Sequence, residues 1–283
     1  MREWWQHIPQ TLDPIALTIG FFSVRWYALW LLAGFFAVLL SALWLSRNGK
    51  FPFSEETVFD MLLFLFFGAV IGGHIGYVLF YNFDAFLAAP YAMLLPYDFE
   101  RGVWVGISGM SYHGGLIGAA LALYWFARRK KIGFWQAADG AALLAPMAIS
   151  FGRMGNFFNI ELYGRLTERP WGMIFPGVMP DGMLRHPSTL YEAFFEGIVL
   201  LILLILLRKR MPFPGALACV FLAGYAILRF LAEYFREPDA HIGFLAGGLT
   251  LGQIFSAVML FAVGMGFLWL KRRNRATIAA LDS

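Results

Sequence analysis

Seven stretches of this chain are apolar over about the length of helix that crosses a membrane: residues 18–45, 57–81, 111–127, 134–152, 189–207, 213–235 and 247–270. A hydrocarbon core about 30 Å thick takes roughly 17–25 residues of α-helix, and a helix satisfies its own backbone N–H and C=O groups there. Hydrophobic residues make up 60% of the chain and charged residues 14%, against about 45–50% and about 25% in a soluble domain. A chain of this kind has too little polar surface to cover itself in water. The expected fold is all-α, a polytopic membrane protein with seven transmembrane helices.

Basic residues predict which side each connection faces. They cluster after the first, third, fifth and seventh stretches, as Arg47 with Lys50, Arg128 to Lys131, Arg208 to Arg210, and Lys271 to Arg273 with Arg275. Alternation of this kind follows the positive-inside rule and predicts an N-terminus outside and a cytoplasmic C-terminus. The clusters read as topology signals and contacts to anionic membrane lipids. They also account for a net charge of +4 without a nucleic-acid partner. The basic residues outside these clusters are all arginines, in the outer loops, at outer ends of spans or within spans. Arginine grips phosphate with a planar fork, which lysine cannot do.

Two outer connections, 82–110 and 153–188, are long enough to fold. The second is rich in glycine, proline and charge, and is expected to form a small outer head between spans four and five of one transmembrane domain, 1–283. No internal repeat is visible, which argues against the inverted-repeat plan of many transporters. The N-terminus shows no short apolar run followed by a small-residue cleavage site, so no removable signal peptide is expected. The one cysteine, Cys219, lies in an apolar run and reads as a small core hydrophobe rather than a nucleophile.

Ionisable side chains at membrane depth cost a few kcal/mol each and need a partner or a task. Four segments concentrate them. Ser111-Tyr112-His113-Gly114-Gly115 opens the third span, and its glycines let another helix or a ligand come close to His113. His113 is either a satisfied structural group or a proton acceptor, since histidine titrates near neutrality. Gly152 to Gly164 places Arg153, Asn156, Asn159 and Glu161 where the fourth span leaves the membrane, more polar groups than capping a helix end requires. His186-Pro187-Ser188-Thr189-Leu190-Tyr191-Glu192 reads first as helix initiation, with Thr189 and Glu192 as a capping box; that leaves His186 without a role. Tyr225, Arg229 and Glu233 follow one another at four-residue spacing in span six and share a face. Buried ion pairs stabilise poorly, so this stripe reads as the lining of a polar ligand site. Arg236 lies on much the same face.

These segments resemble the prolipoprotein diacylglyceryl transferase family. The resemblance runs over nearly the whole chain and is carried by Val24-Arg25-Trp26-Tyr27, Gly72-Gly73-His74 through Asn82, Ser111 to Gly115, Gly152 to Gly164, His186-Pro187-Ser188, and Arg229 to Asp239. The Gly-Arg-x-Gly-Asn-Phe-x-Asn-x-Glu run is the most specific of these. The resemblance implies a bacterial inner-membrane, multi-pass enzyme. It would join the diacylglyceryl group of phosphatidylglycerol to the lipobox cysteine in a preprolipoprotein signal peptide, releasing glycerol phosphate, with no metal or organic cofactor. It implies functional positions at Tyr27, His113, Arg153, Asn156, Glu161, Arg229 and Glu233. The chain departs from the family at His74, where arginine is usual, and at Thr189, where glutamine is usual.

The chemistry of these residues agrees. In such a transfer the nucleophile belongs to the substrate, so the enzyme needs no serine or cysteine of its own. It needs a group that favours thiolate over a thiol of pKa about 8.5, and cations for the departing phosphate. His113 suits the first task, with Arg-assisted deprotonation as the alternative. Arg153 and Arg229 suit the second, and these three are the expected catalytic residues. Tyr27, Asn156, Asn159, Glu161, His186, Tyr225 and Glu233 are the expected substrate-binding residues, with Glu161 and Glu233 orienting the arginines. A transporter would spread polar groups over the whole membrane depth, and a metal-dependent phosphatidyl alcohol transferase would carry aspartates on adjacent turns; the sequence shows neither pattern.

Overall fold

The computed structural model describes residues 2–20, 22–81, 83–88, 90, 97–98, 103–104, 110–238 and 243–281. Seven long helical segments organise them: α1 (Trp26–Arg47), α2 (Glu55–Tyr81), α3 (Tyr112–Lys130), α4 (Phe134–Phe158), α5 (Ser188–Glu192, continuing through Ala193–Val199 to Leu200–Leu207), α6 (Ala216–Ala232) and α7 (Leu251–Leu281). Each expected span falls on one of them. Among the described residues, four helices are long and apolar enough to cross a membrane, over Trp26–Arg47, Glu55–Phe80, Ser188–Arg210 and Leu251–Ala276. The apolar helix Ala216–Ala232 is shorter.

Two boundaries and the strand content differ from the sequence reading. The first span does not begin at residue 18, because β1 (Ile15–Ile19) and β2 (Phe22–Arg25) pair as an antiparallel hairpin ahead of α1. Gly20 takes a φ of +60° beside the turn, which glycine accepts without strain, and the flanking isoleucines, threonine and valine favour strand. The fourth span does not end at residue 152. The helix runs on to Phe158 and stops where Ile160 and Leu162 take φ of 58° and 57°, so Arg153 and Asn156 sit on helical turns. Nor is the fold purely α. Besides the first hairpin, β3 (Tyr97–Asp98) pairs with β4 (Val103–Trp104), and in the segment expected to form the head β5 (Met173–Ile174) pairs with β6 (Leu184–Arg185).

The chain packs as two compact units. Ser41–Ala138 is one, and Met1–Leu40 with Asp139–Ser283 is the other. In the first, α2 and α3 meet along glycines. A Cβ on Gly118 would lie 2.8 Å from Gly72 Cα and 3.1 Å from the Gly68 carbonyl carbon, and one on Gly76 would lie 2.7 Å from Gly114 Cα. Backbone therefore rests on backbone, the small-residue packing that replaces hydrophobic driving force in lipid. The glycines after His113 thus admit another helix, one of the two readings the sequence allowed. Ser111 caps α3 by accepting the Gly114 N–H at 3.3 Å. At the opposite end Lys130 pairs with Asp60 at 2.6 Å.

In the larger unit, α4 packs on α1 through Trp30, whose ring lies 5.8 Å from Phe151 and 5.3 Å from Phe158. Asp139 on α4 caps α6, accepting the backbone N–H groups of Gly215 at 2.7 Å and Ala218 at 2.8 Å. Phe157 at the end of α4 forms a small core with Met173, Phe175 and Val178 of the segment after it, and Trp5, Ile8 and Leu12 pack against it.

The backbone contact of α2 with α3 makes a direct prediction. Gly118→Ala should destabilise the protein by about 1–3 kcal/mol, the usual cost of overpacking. It would be read as a lower thermal midpoint in detergent, with Gly133→Ala, where a Cβ meets only the Gln136 side chain at 3.7 Å or beyond, as the control that stays near wild type.

Candidate active site

Six charged side chains of the larger unit meet at one place. Helix α4 brings Arg153, α5 brings Glu192 and Glu196, α6 brings Arg229, and the turn that follows brings Glu233 and Arg236. Glu192 is the hinge of the group. Its Oε2 lies 3.1 Å from Arg153 Nε while its Oε1 accepts from Arg229 Nη1. Glu196, one turn on, lies 3.4 Å from Arg153 Nη2 and 3.8 Å from Arg229 Nη1. Arg229 Nη2 donates to Glu233 Oε1. Arg236 completes the set, 3.8 Å from Glu192 Oε1 and 3.9 Å from Glu233 Oε1. Both α5 carboxylates are fully buried, whereas the three guanidiniums keep 12–15% of their side-chain surface exposed.

Local structure explains how one helix supplies two buried acids. Glu192 ends the first α-helical turn of α5, and Glu196 falls in the π-helical stretch Ala193–Val199. Such stretches recur at functional sites. Gly197 beside them lets α5 approach α4, since a Cβ there would lie 2.9 Å from Ser150 Cα. The expected capping box does not form. The position before the helix is Pro187, which offers no capping side chain, and Ser188 Oγ donates to the Leu162 carbonyl at 2.7 Å. Glu192 serves the arginines instead.

Asn156 and Glu161 form a second group, joined by an Asn156 Nδ2–H bond to Glu161 Oε1 at 2.8 Å. Glu161 therefore orients Asn156 in this structure, and the partners of Arg153 and Arg229 are Glu192, Glu196 and Glu233. Tyr27 stands beside this turn because Gly155 allows it; a Cβ on Gly155 would lie 3.0 Å from Tyr27 Cδ2. Tyr27 is within electrostatic reach of both Glu161 and Arg153, which links the two groups. Asn159 accepts from Arg25 Nη1 at 3.4 Å.

His186 belongs to a third group. Trp171 Nε1–H donates to Tyr191 Oη at 2.8 Å, and that hydroxyl lies 3.1 Å from His186 Nδ1. The His186 ring meets Phe235 edge-on at 5.2 Å. Burial, with the charge of Arg169 adding to it, holds its pKa below the ordinary 6.5. The unfolded chain therefore takes up this proton more readily, and its contribution to stability is lost as pH falls through 6.5. Around it the backbone clamps the end of α6: Gly164 N–H donates to His186 O at 2.9 Å, Arg165 N–H to Phe235 O at 2.9 Å, and Arg165 Nη2 to Glu233 O at 3.1 Å. Gly164 has no room for a side chain, since a Cβ would lie 2.7 Å from His186 Cβ.

Of the expected site residues, Arg153, Arg229 and Glu233 share one network, Tyr27, Asn156 and Glu161 adjoin it, and His186 lies in the clamp beside Phe235. Tyr225 stands one turn before Arg229 on α6, its ring 6.3 Å from Phe221. His113 is on the first turn of α3, in the smaller unit, and its side chain lies outside the described residues. Sequence reasoning missed Glu196 altogether and assigned Glu192 to helix initiation. The signal for both was two acids four residues apart in an apolar run, the same expense that pointed to Arg229. Among the described residues no group of three or more His, Cys, Asp or Glu side chains is placed to hold a metal ion.

The arrangement suits an oxyanion. Guanidiniums held by buried carboxylates are fixed in place, and the planar guanidinium fork matches an oxyanion. A cavity of about 90 Å³ adjoins them, lined by Arg229, Glu233, Arg236, Thr250 and Gly252 among others.

The model of the prolipoprotein diacylglyceryl transferase family matches residues 14–270. A phosphatidylglycerol–prolipoprotein diacylglyceryl transferase of Chlorobaculum tepidum is 45% identical over 273 residues, covering 95% of this chain and 94% of the relative. Proteins of the same name from Photobacterium profundum and Wolinella succinogenes are 46% and 43% identical, covering 94% and 96% of this chain and 96% and 98% of their own.

Removing Glu192 tests the network. Glu192→Ala leaves Arg153 and Arg229 without the carboxylate between them, and breaking a buried pair from one side costs about 3–5 kcal/mol. The unfolding midpoint of the purified protein should fall accordingly, well below that of an exposed control such as Glu168→Ala.

Proposed function

The chain belongs to the prolipoprotein diacylglyceryl transferase family, and we propose that it transfers the diacylglyceryl group of phosphatidylglycerol to the lipobox cysteine thiol of a preprolipoprotein. The observation that carries the reading is the pair of guanidiniums, Arg153 and Arg229, fixed by Glu192 between them. The names and identities of the relatives support the same two substrates.

In this reaction sulfur attacks the terminal glycerol carbon of the diacylglyceryl group, the C–S bond forms, and the C–O bond to phosphate breaks. The thiol proton goes to a base, and the phosphate leaves as glycerol phosphate. Arg153 and Arg229 hold the phosphodiester and stabilise the charge that grows on it. Asn156 and Tyr27 add neutral donors, with Asn156 turned by Glu161. Asn159, His186 and Tyr225 bind the lipid or the signal peptide around this centre. His113 takes the proton, with an arginine-centred arrangement as the alternative. The nucleophile comes from the substrate, consistent with the single cysteine, Cys219, being buried on α6.

The membrane reading belongs to the same proposal. All seven long helices span the inner membrane, the N-terminus and the 153–188 head face the periplasm, and the C-terminus is cytoplasmic. The basic clusters support this, since they fall at the C-terminal ends of α1, α3, α5 and α7. Single cysteines introduced at 165–180 should react with an impermeant thiol reagent added from outside, and one at the exposed position 128, beside Arg129, should not. Outside labelling at 128 would reverse the topology.

The transfer is tested by mass spectrometry of a lipobox peptide incubated with phosphatidylglycerol and the purified protein. A mass gain of one diacylglyceryl group is expected. Arg153→Ala and Arg229→Ala should abolish it, and Lys should rescue poorly at either position because it cannot form a bidentate grip. His113→Gln should lower the rate by about 10²–10⁴-fold and recover in part as pH approaches the free thiol value of about 8.5. A His113→Gln protein with wild-type activity and a flat pH response would move proton handling to the Arg229 neighbourhood.

A further inference from the structure

Helix α7 opens with Thr250-Leu251-Gly252-Gln253, the S/T-x-x-E/Q pattern of a capping box, and the function proposed above makes no use of it. The box is closed. Gln253 Oε1 accepts the Thr250 N–H at 3.0 Å, and Thr250 Oγ1 accepts the Gln253 N–H at 3.2 Å. Both residues are buried. A hydroxyl that accepts from a backbone N–H still has its own hydrogen to place. Thr250 places it on Glu233 Oε2, at 2.7 Å.

The other oxygen of that carboxylate, Oε1, is the one that receives Arg229 Nη2. One oxygen of Glu233 is therefore fixed by α7 and the other fixes a guanidinium. Arg229 is held at its second nitrogen by Glu192, so the fork is gripped at both tips and the rotation of its plane is set. Gly252 makes the contact possible: a Cβ there would lie 2.6 Å from Glu233 Oε1 and 2.7 Å from its carboxyl carbon. The carboxylate rests on the first turn of a 31-residue helix, where the helix dipole favours negative charge.

We infer that Thr250 is a positioning residue for the transfer: its hydroxyl aims Glu233, and Glu233 aims the Arg229 guanidinium at the phosphate. The inference rests on the transferase reading. Thr250 touches no reacting atom and acts through two intervening side chains. Without its hydrogen, the Glu233 carboxylate is free to turn about its last bond and Arg229 loses one of its two fixed points. Small misplacements of this kind slow catalysis by as much as about a hundredfold.

The test separates this role from helix capping. Thr250→Val removes the hydrogen given to Glu233 and one capping bond, Thr250→Ser keeps both, and Gln253→Ala removes a capping bond while leaving the hydrogen on Glu233. Transfer from phosphatidylglycerol to a lipobox peptide is measured for each as kcat and KM, beside the thermal midpoint of the full-length protein. Thr250→Val should lose about ten- to hundredfold in kcat, as expected for a hydrogen bond to a charged group, with KM for the peptide unchanged. Thr250→Ser and Gln253→Ala should stay within about threefold of wild type, the latter despite a lowered midpoint. Thr250→Ala takes the place of the valine variant if that one does not fold. A Thr250→Val protein as active as wild type, or a Gln253→Ala protein that falls as far, overturns the inference and leaves the transferase reading standing. A wild type that transfers nothing removes the reading and the inference with it.

Discussion

Charge buried among helices has to be answered, and that requirement organises the larger unit. Removing a guanidinium from water costs several kcal/mol even after relaxation. The structure offsets this by interleaving three arginines with three glutamates drawn from α4, α5, α6 and the turn beyond it. Four pieces of chain must then arrive at the same depth and with the same faces inward. The arginine-rich segment after α4 contributes from outside the network, since Arg165 bonds the carbonyls of Glu233 and Arg236. The proposed functional site and a structural joint occupy the same volume, so its residues are expected to be sensitive on two counts.

Elsewhere the absence of side chains brings helices together. The contact of α2 with α3 runs through Gly68, Gly72, Gly76, Gly114 and Gly118. Glycines also appear at the points where charged side chains need a wall of backbone, as Gly252 does for Glu233 and Gly164 for the turn near His186. The two devices are complementary, since long charged side chains need neighbours that give up space.

Much of this was legible in the sequence because both devices leave marks in one dimension. Apolar runs of span length fall on all seven long helices. Arg153, Asn156, Glu161, Arg229 and Glu233 stood out because each was expensive where it lay. What could not be read was pairing. Arg229 and Glu233 share a helix face by spacing alone, but nothing in the spacing says that Glu192 and Glu196 approach from a different helix. Glu192 also fitted a local pattern, the capping box with Thr189, and a local explanation made the distant one unnecessary; Pro187 at the cap position removed it. Thr250 shows the reverse case: its local box does form, and it also reaches Glu233, 17 residues earlier, through a hydroxyl hydrogen that the box leaves over. The hairpin at 15–25 was missed because isoleucine, leucine and valine serve a strand as readily as an apolar helix.

The charges of the network bear on how the proposed reaction would be accelerated. Three guanidiniums are interleaved with three carboxyl groups, so the site presents no large positive field to attract a lipid phosphate. Binding would then depend on geometry, on donors held at fixed angles. A phosphodiester entering this site has one negative charge to share among donors already engaged with glutamates. As the C–O bond breaks, the same group becomes a monoester and its charge rises. The guanidiniums gain more from the departing group than from the bound one, while the buried carboxylates keep their places. Stabilisation that is larger in the transition state than in the ground state is what raises kcat. Guanidiniums already held in place by buried carboxylates meet that growing charge without reorganising, which is where preorganised donors gain over solvent.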